Sequence, residues 1–133
     1  MGKGGERLTA VRDGGPLALD KPVRKRIAAK LGVRWRLADL AAIRPLLAGS
    51  SQTSDDVAVP HGHYAAETMK QTVVPNRNMI MLSVAAGWAI SEQADRLAYG
   101  AHTGDHTIYP DCRPEFADAV GRAIALADWH CVE

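Results

Sequence analysis

The chain has 133 residues, a formal net charge of +1 and 47% apolar residues, which is the size and make-up of one globular domain with its own core. A near-neutral balance with no basic stripe and no acidic tail argues against nucleic acid or an anionic membrane as the main partner and points to a small molecule. Two cysteines, Cys112 and Cys131, are too few for a disulfide framework or a four-cysteine zinc site.

The N-terminal MGKGGER lacks the apolar run of a signal peptide. The longest nearly uncharged run, Met79 to Ile90, is too short to cross a bilayer. The expected location is the cytoplasm. Helix-then-strand units recur along the chain, which predicts an α/β fold within a single domain. A first helix is expected after Asp20 as N-cap, with Pro22 in its first turn, Val23, Ile27, Ala28 and Leu31 on its inner face, and Gly32 as its stop. Val33, Trp35 and Leu37 alternate with Arg34 and Arg36, the period-two pattern of a strand with one wet face. Leu37 to Leu47 reads as a helical turn interrupted at Pro45. Residues 49–72 form a long polar loop of the kind that binds ligands.

A second helix, from Asn76 to Asp95, is apolar nearly all round and is expected to lie against a sheet beneath other elements. LAYGA, residues 97–101, reads as a short buried strand, and Trp129 to Val132 as the start of another. Pro114 opens a third helix, PEFADAVGRAIALA, with Phe116, Val120, Ile124 and Ala127 along one face. The polar stretch from Ala101 to Pro114 therefore joins a strand end to a helix start. In open parallel sheets that edge binds ligands, and free N–H groups at the helix start favour an anion there.

Several residues in these loops have structural readings beside functional ones. Arg77 and Asn78 stand at a helix start, where they cap backbone groups or bind an anion. Asp111 and Arg113 form a loop salt bridge or contact a ligand, and Cys112 reads as a packed thiol. Glu115, in the first helical turn, complements the helix dipole. His102, His106 and Cys112, or His61 with His63, lie in loops that do not fix a ligand geometry, so no metal site is expected. His130 reads as a satisfied strand histidine, Met79, Met81 and Trp88 as core, and Asp55 and Asp56 as solvated.

VVPNRNMIMLSVAAGWA at 73–89 and YGAHTGDHTIYPDCRPEFADAV at 99–120 closely resemble the 7-cyano-7-deazaguanine synthases, a likeness that spans roughly Arg24 to the C-terminus. The ordered V-P-x-R-N box, G-x-x-x-x-D segment and Y-P-D-C-R-P-E-F run make the resemblance specific. It implies a Rossmann-like parallel sheet with flanking helices, of the adenine nucleotide alpha hydrolase type, present here incompletely. It also implies an ATP-dependent ligase of the queuosine pathway, with magnesium accompanying the ATP. Such enzymes activate 7-carboxy-7-deazaguanine, let ammonia form the amide, and dehydrate the amide to a nitrile. Phage relatives send the product into DNA.

The resemblance implies a substrate site at Arg77, Asn78, Asp105, Tyr109, Asp111 and Arg113. Arg77 and Asn78 are assigned to phosphate or the substrate carboxylate. Asp105, Asp111 and Arg113 orient the base or hold the loop, while Tyr109 stacks on the heterocycle or hydrogen-bonds to it. The family's S-G-G-x-D-S phosphate loop and its four zinc cysteines have no counterpart in this sequence; GGER at 4–7 and RDGGP at 12–16 lack the required order, and residues 1–20 diverge from the family apart from RLTAV at 7–11, a match for its second strand. The chain is therefore expected to be the middle of a synthase, without zinc ligands and unable to turn over ATP alone. The alternative is a noncatalytic binding or assembly module that retains the base pocket; another PP-loop ligase, acting on tRNA, fits YPDCRPEF less well. An exposed sheet edge and uncovered apolar helix invite aggregation or a homodimer.

Overall fold

The computed structural model describes residues 9–12, 20–51, 53, 67–102, 108–130 and 132–133. Strands β1 (Thr9–Arg12) and β2 (Trp35–Asp39) form a two-stranded parallel sheet that pairs Thr9 with Trp35, Val11 with Ala38 and Arg12 with Asp39, with an irregularity between Thr9 and Val11. Parallel neighbours cannot be joined by a hairpin, so the connection carries helix α1 (Asp20–Lys30). The result is one β-α-β unit. Asp20 is the first helical residue rather than the cap outside it. Gly32, at φ +66, ends α1 in the left-handed conformation that glycine adopts without a Cβ clash. Its neighbours close the end, with Gly32 N–H donating to Ala29 O at 3.2 Å and Val33 N–H to Ala28 O at 3.0 Å.

The expected inner face of α1 is not buried among the described residues. Ala28 alone is covered, whereas Ile27 is 53% and Leu31 68% exposed, and Val23 is exposed too. The helix meets the rest of the molecule along its small residue, one step round from the large apolar stripe. Trp35, Leu37 and Ala38 are half-buried and Arg36 and Asp39 exposed, close to the expected alternation.

After β2, the Asp39 carboxylate accepts the Ala41 N–H at 3.0 Å and starts a 3-10 helix over Ala41–Leu47. Pro45 lies inside that helix instead of ending it, since so short a ladder asks few N–H donors of its residues. Ser51 N–H donates to Gln71 O at 2.8 Å, so the polar stretch leaves and returns at one place, and its last residues wind into a 3-10 helix, Glu67–Thr72.

Helix α2 (Arg77–Ser91) follows Asn76, whose φ of 55 suits an asparagine. Leu82, Ala86 and Ala89 are its buried residues, and it packs on β1, on α3 (Pro114–Ala127) and on the turn Pro110–Cys112. Met79, Met81 and Trp88 are half-buried and Val84 exposed, so α2 is less enclosed than its composition suggests. Gln93, at φ 53, ends the helix as Ala94 N–H reaches back to Ala89 O at 2.9 Å, a Schellman closure without glycine. Nearby, Arg34 Nη1 donates to Glu92 Oε2 at 2.5 Å and Trp88 Nε1 to Glu92 Oε1 at 3.2 Å, tying the approach to β2 to the end of α2.

Two expected strands are corrected. Residues 97–101 form no strand, and Ala98, Gly100 and Ala101 are exposed; Trp129 is fully exposed in a bend. What remains of that pairing is two hydrogen bonds, Glu133 N–H to Asp95 O at 3.0 Å and Leu97 N–H to Glu133 O at 2.6 Å. This exchange across Arg96 is the pattern of a single parallel bridge, too short for a strand. His130 is satisfied outside any strand, its Nε2 lying 2.9 Å from Ala94 O. Val132 is buried beside it in sequence. Helix α3 matches its expected limits, with Pro114 at its start and Val120 buried. Among the described residues, no helix is long and apolar enough to cross a membrane.

Candidate functional site

The sequence Tyr109-Pro-Asp-Cys turns tightly because Pro110 fixes its φ and carries no N–H, and Cys112 N–H folds back to Tyr109 O at 3.0 Å. Arg113 then adopts an extended backbone, and its carbonyl accepts the N–H groups of Phe116 and Ala117 at 3.1 and 3.2 Å to begin α3. The turn thus sits directly on one helix start. It also seals the start of α2.

Asn78, the second residue of α2, and Asp111 bind each other reciprocally. Asn78 N–H donates to Asp111 Oδ2 at 3.2 Å, and Asn78 Nδ2 donates to the Asp111 carbonyl at 3.1 Å. The first is a capping bond: an N–H in the opening turn has no partner within its own helix, and the carboxylate carries the charge that the helix N-terminus favours. Asn78 Nδ2 also lies 3.6 Å from the Sγ of Cys112, a buried free thiol. Tyr99 OH donates to the Asp111 carbonyl at 3.5 Å. Burial, then electrostatic repulsion from the side of Cys112 and Asp111, holds the Tyr99 phenol above its ordinary pKa of 10.0. Tyr109 OH lies 2.6 Å from Thr72 Oγ1.

The expected site residues fall into three groups. Asn78, Tyr109 and Asp111 gather around the turn, with the Asn78 amide and the Asp111 carboxylate both engaged in the loop-to-helix contact. Arg77 opens α2 on another side, where it lines an apolar cleft with Leu40, Ile43, Leu47, Val74 and Ile80; the cleft encloses about 300 Å³ counted out to its open mouth. Arg44, on its rim, donates from Nε to the Thr53 carbonyl at 3.0 Å. Arg113 is exposed at the start of α3. Asp105, His61, His63, His106, Asp55, Asp56 and Cys131 lie outside the described residues.

Thr72 and Tyr99 were missed as members of the cluster. Thr72 ends the polar stretch just before the VVP box, and Tyr99 stands in the middle of LAYGA, read as a buried strand, so neither hydroxyl had an evident partner. His102 is exposed. Among the described residues no three of His, Cys, Asp and Glu come together as a metal cluster.

Residues 18–133 match the family model described as Queuosine biosynthesis protein QueC. A 7-cyano-7-deazaguanine synthase of Pseudoalteromonas atlantica is 55% identical over 108 residues, covering 81% of this chain and 49% of that protein. The 7-cyano-7-deazaguanine synthase 1 of Colwellia psychrerythraea is 52% identical over 107 residues, 80% of this chain and 49% of the relative. That of Hahella chejuensis is 52% identical over 109 residues, 82% and 47%. The chain spans about half the length of the curated relatives it matches. With the family model matching residues 18–133 of the chain, the chain belongs to the QueC family of queuosine biosynthesis proteins.

Proposed function

We propose that the chain supplies the base-binding part of a 7-cyano-7-deazaguanine synthase, working in the cytoplasm within a Rossmann-like PP-loop fold of the adenine nucleotide alpha hydrolase type. The β1-α1-β2 crossover and the parallel bridge across Arg96 are what such a fold requires, and both support it. The observation that carries the reading is the turn Pro110–Cys112, bound to the start of α2 through Asn78 and Asp111 while it opens α3 through Arg113. Two helix starts and the aromatic Tyr109 are thereby held together. The Asp111 carboxylate already serves the start of α2, while the start of α3 favours an anion and a tyrosine suits a flat heterocycle, which together fit a deazaguanine bearing a carboxylate.

In the proposed reaction ATP activates the carboxylate of 7-carboxy-7-deazaguanine and ammonia displaces the activated oxygen to give the amide. A second activation makes the amide oxygen the leaving group and yields the nitrile. Arg77, at the start of α2, is assigned to phosphate or carboxylate, and Asp105 and Arg113 to orienting the base or holding the loop. Asn78 and Asp111 hold the loop. Among the described residues no cluster of His, Cys, Asp and Glu fits magnesium or zinc.

The test is to incubate the purified chain with ATP, magnesium, ammonia and 7-carboxy-7-deazaguanine, and to follow binding by titration calorimetry and product by mass spectrometry. Binding without a nitrile is expected. Absence of binding removes the base-pocket reading, whereas a nitrile product shows that the chain needs nothing further for catalysis.

A further inference from the structure

Thr72 is the last residue of the 3-10 helix Glu67–Thr72, and its Oγ1 lies 2.6 Å from the hydroxyl of Tyr109. Both side chains are half-buried. The backbone is anchored on each side of the contact. Next to Thr72, Val73 N–H donates to Lys70 O at 3.1 Å and Val74 is buried; next to Tyr109, Ile108 is buried and the Tyr109 carbonyl takes the Cys112 N–H. A phenol tethered at its oxygen and rooted at its Cα keeps the direction of its ring axis. The ring face needs no hydroxyl to stack on a heterocycle.

We infer that Thr72 is a positioning residue for base recognition, holding the Tyr109 hydroxyl so that the ring is set for stacking. This rests on the substrate reading above and separates the two roles open to Tyr109: the phenol oxygen serves the tether and the ring serves the ligand. Since Thr72 also closes the polar stretch whose base is tied by Ser51 and Gln71, the tether fastens that stretch to the recognition turn.

The test is titration calorimetry of the full chain with 7-carboxy-7-deazaguanine, together with thermal melts of each variant. Thr72→Val should weaken binding roughly three- to tenfold, the worth of one lost hydrogen bond, and Thr72→Ser should restore it to about parental affinity. Tyr109→Phe should match Thr72→Val, and combining the two should cost no more than either alone. Tyr109→Leu, which removes the ring, should lose about tenfold or more. Thr72→Ala gives the same reading if valine lowers the melt. Unchanged affinity in Thr72→Val or Thr72→Ala overturns the inference, as does a Tyr109→Phe loss far beyond that of Thr72→Val, which would put the hydroxyl on the ligand. A parent chain that binds nothing overturns the substrate reading itself, whatever the variants do.

Discussion

Replacing Asp111 with alanine removes the acceptor for Asn78 N–H at the start of α2 while leaving the Asn78 side chain bound to the residue 111 carbonyl. Loss of a capping acceptor costs about 0.5–2 kcal/mol, and loss of a charge beside a helix N-terminus about 0.3–1 kcal/mol. Because Asp111 and Asn78 are half-buried, water replaces part of the lost bond, and a net cost of about 1–2 kcal/mol is expected. For a chain of this length that is roughly 4–8 °C in Tm. Asp111→Asn keeps an oxygen acceptor and should lose less than half as much.

Asn78→Ala removes the opposite strap and should cost about 1 kcal/mol. Each single variant leaves one strap to hold the turn, so the double variant should exceed the sum of the singles by about 0.5 kcal/mol or more. Melts followed by circular dichroism give the stabilities. Amide exchange in the first turn of α2 should quicken in the Asp111 variants, locating the effect. A melt of Asp111→Ala within about 1 °C of the parent, or strictly additive losses, would refute the reciprocal clasp.

Ala89 is only 1% exposed on α2, so Ala89→Leu forces extra methylene groups into filled space and should cost about 1–3 kcal/mol, whereas Ile27→Ala on the open face of α1 should stay within about 0.5 kcal/mol. Denaturant melts compare them, and equal losses would contradict the burial described. Glu92 accepts from Arg34 and Trp88, which lowers its pKa below the ordinary 4.5. Its contribution is therefore present above that ordinary value and lost as pH falls through the lowered one; the gap between the parent and Glu92→Gln should close on acidification, and a gap constant with pH would exclude the pairing. Tyr99 has the opposite sign. Its raised pKa makes the stabilisation complete below the ordinary 10.0 and lost as pH rises beyond it, so Tyr99→Phe should flatten the alkaline limb of the stability curve.

What could be read from the chain beforehand was what short-range chemistry decides. PEFADAVGRAIALA carries a proline start and an apolar face of helical period, and α3 occupies those residues. Alternation from Val33 to Leu37 located β2 to within two residues. LAYGA failed because an uncharged run was read as a buried strand although its two alanines and glycine disfavour one, and the ladder depends on where residue 133 arrives. The stripe Val23, Ile27 and Leu31 was legible as apolar, but periodicity does not say which neighbour covers it.

The turn Pro110–Cys112 shows the same division. YPDCRPEF marked Tyr109, Asp111 and Arg113, and the VVPNRN box marked Arg77 and Asn78, yet nothing in either segment says that the Asn78 side chain seeks the backbone of residue 111 while the Asp111 side chain seeks that of residue 78. Side chain to backbone bonds between distant segments leave no residue-type signature. Tyr99, bound to the backbone of residue 111, and Thr72, whose hydroxyl meets that of Tyr109 from 37 positions away, likewise became visible only in three dimensions.

The bridge across Arg96 has a consequence for the order of events in folding. Its two hydrogen bonds join residues 95 and 97 to residue 133, and the turn Pro110–Cys112 and the whole of α3 lie between them. A pairing so remote along the chain gains nothing until the intervening segment has been drawn into place, so its loop-closure entropy falls on the last steps. The helices can form within microseconds on local contacts. The bridge should then be the last part of the molecule to acquire amide protection during refolding and the first to lose it under mild denaturant, a clock hand for completion of the fold.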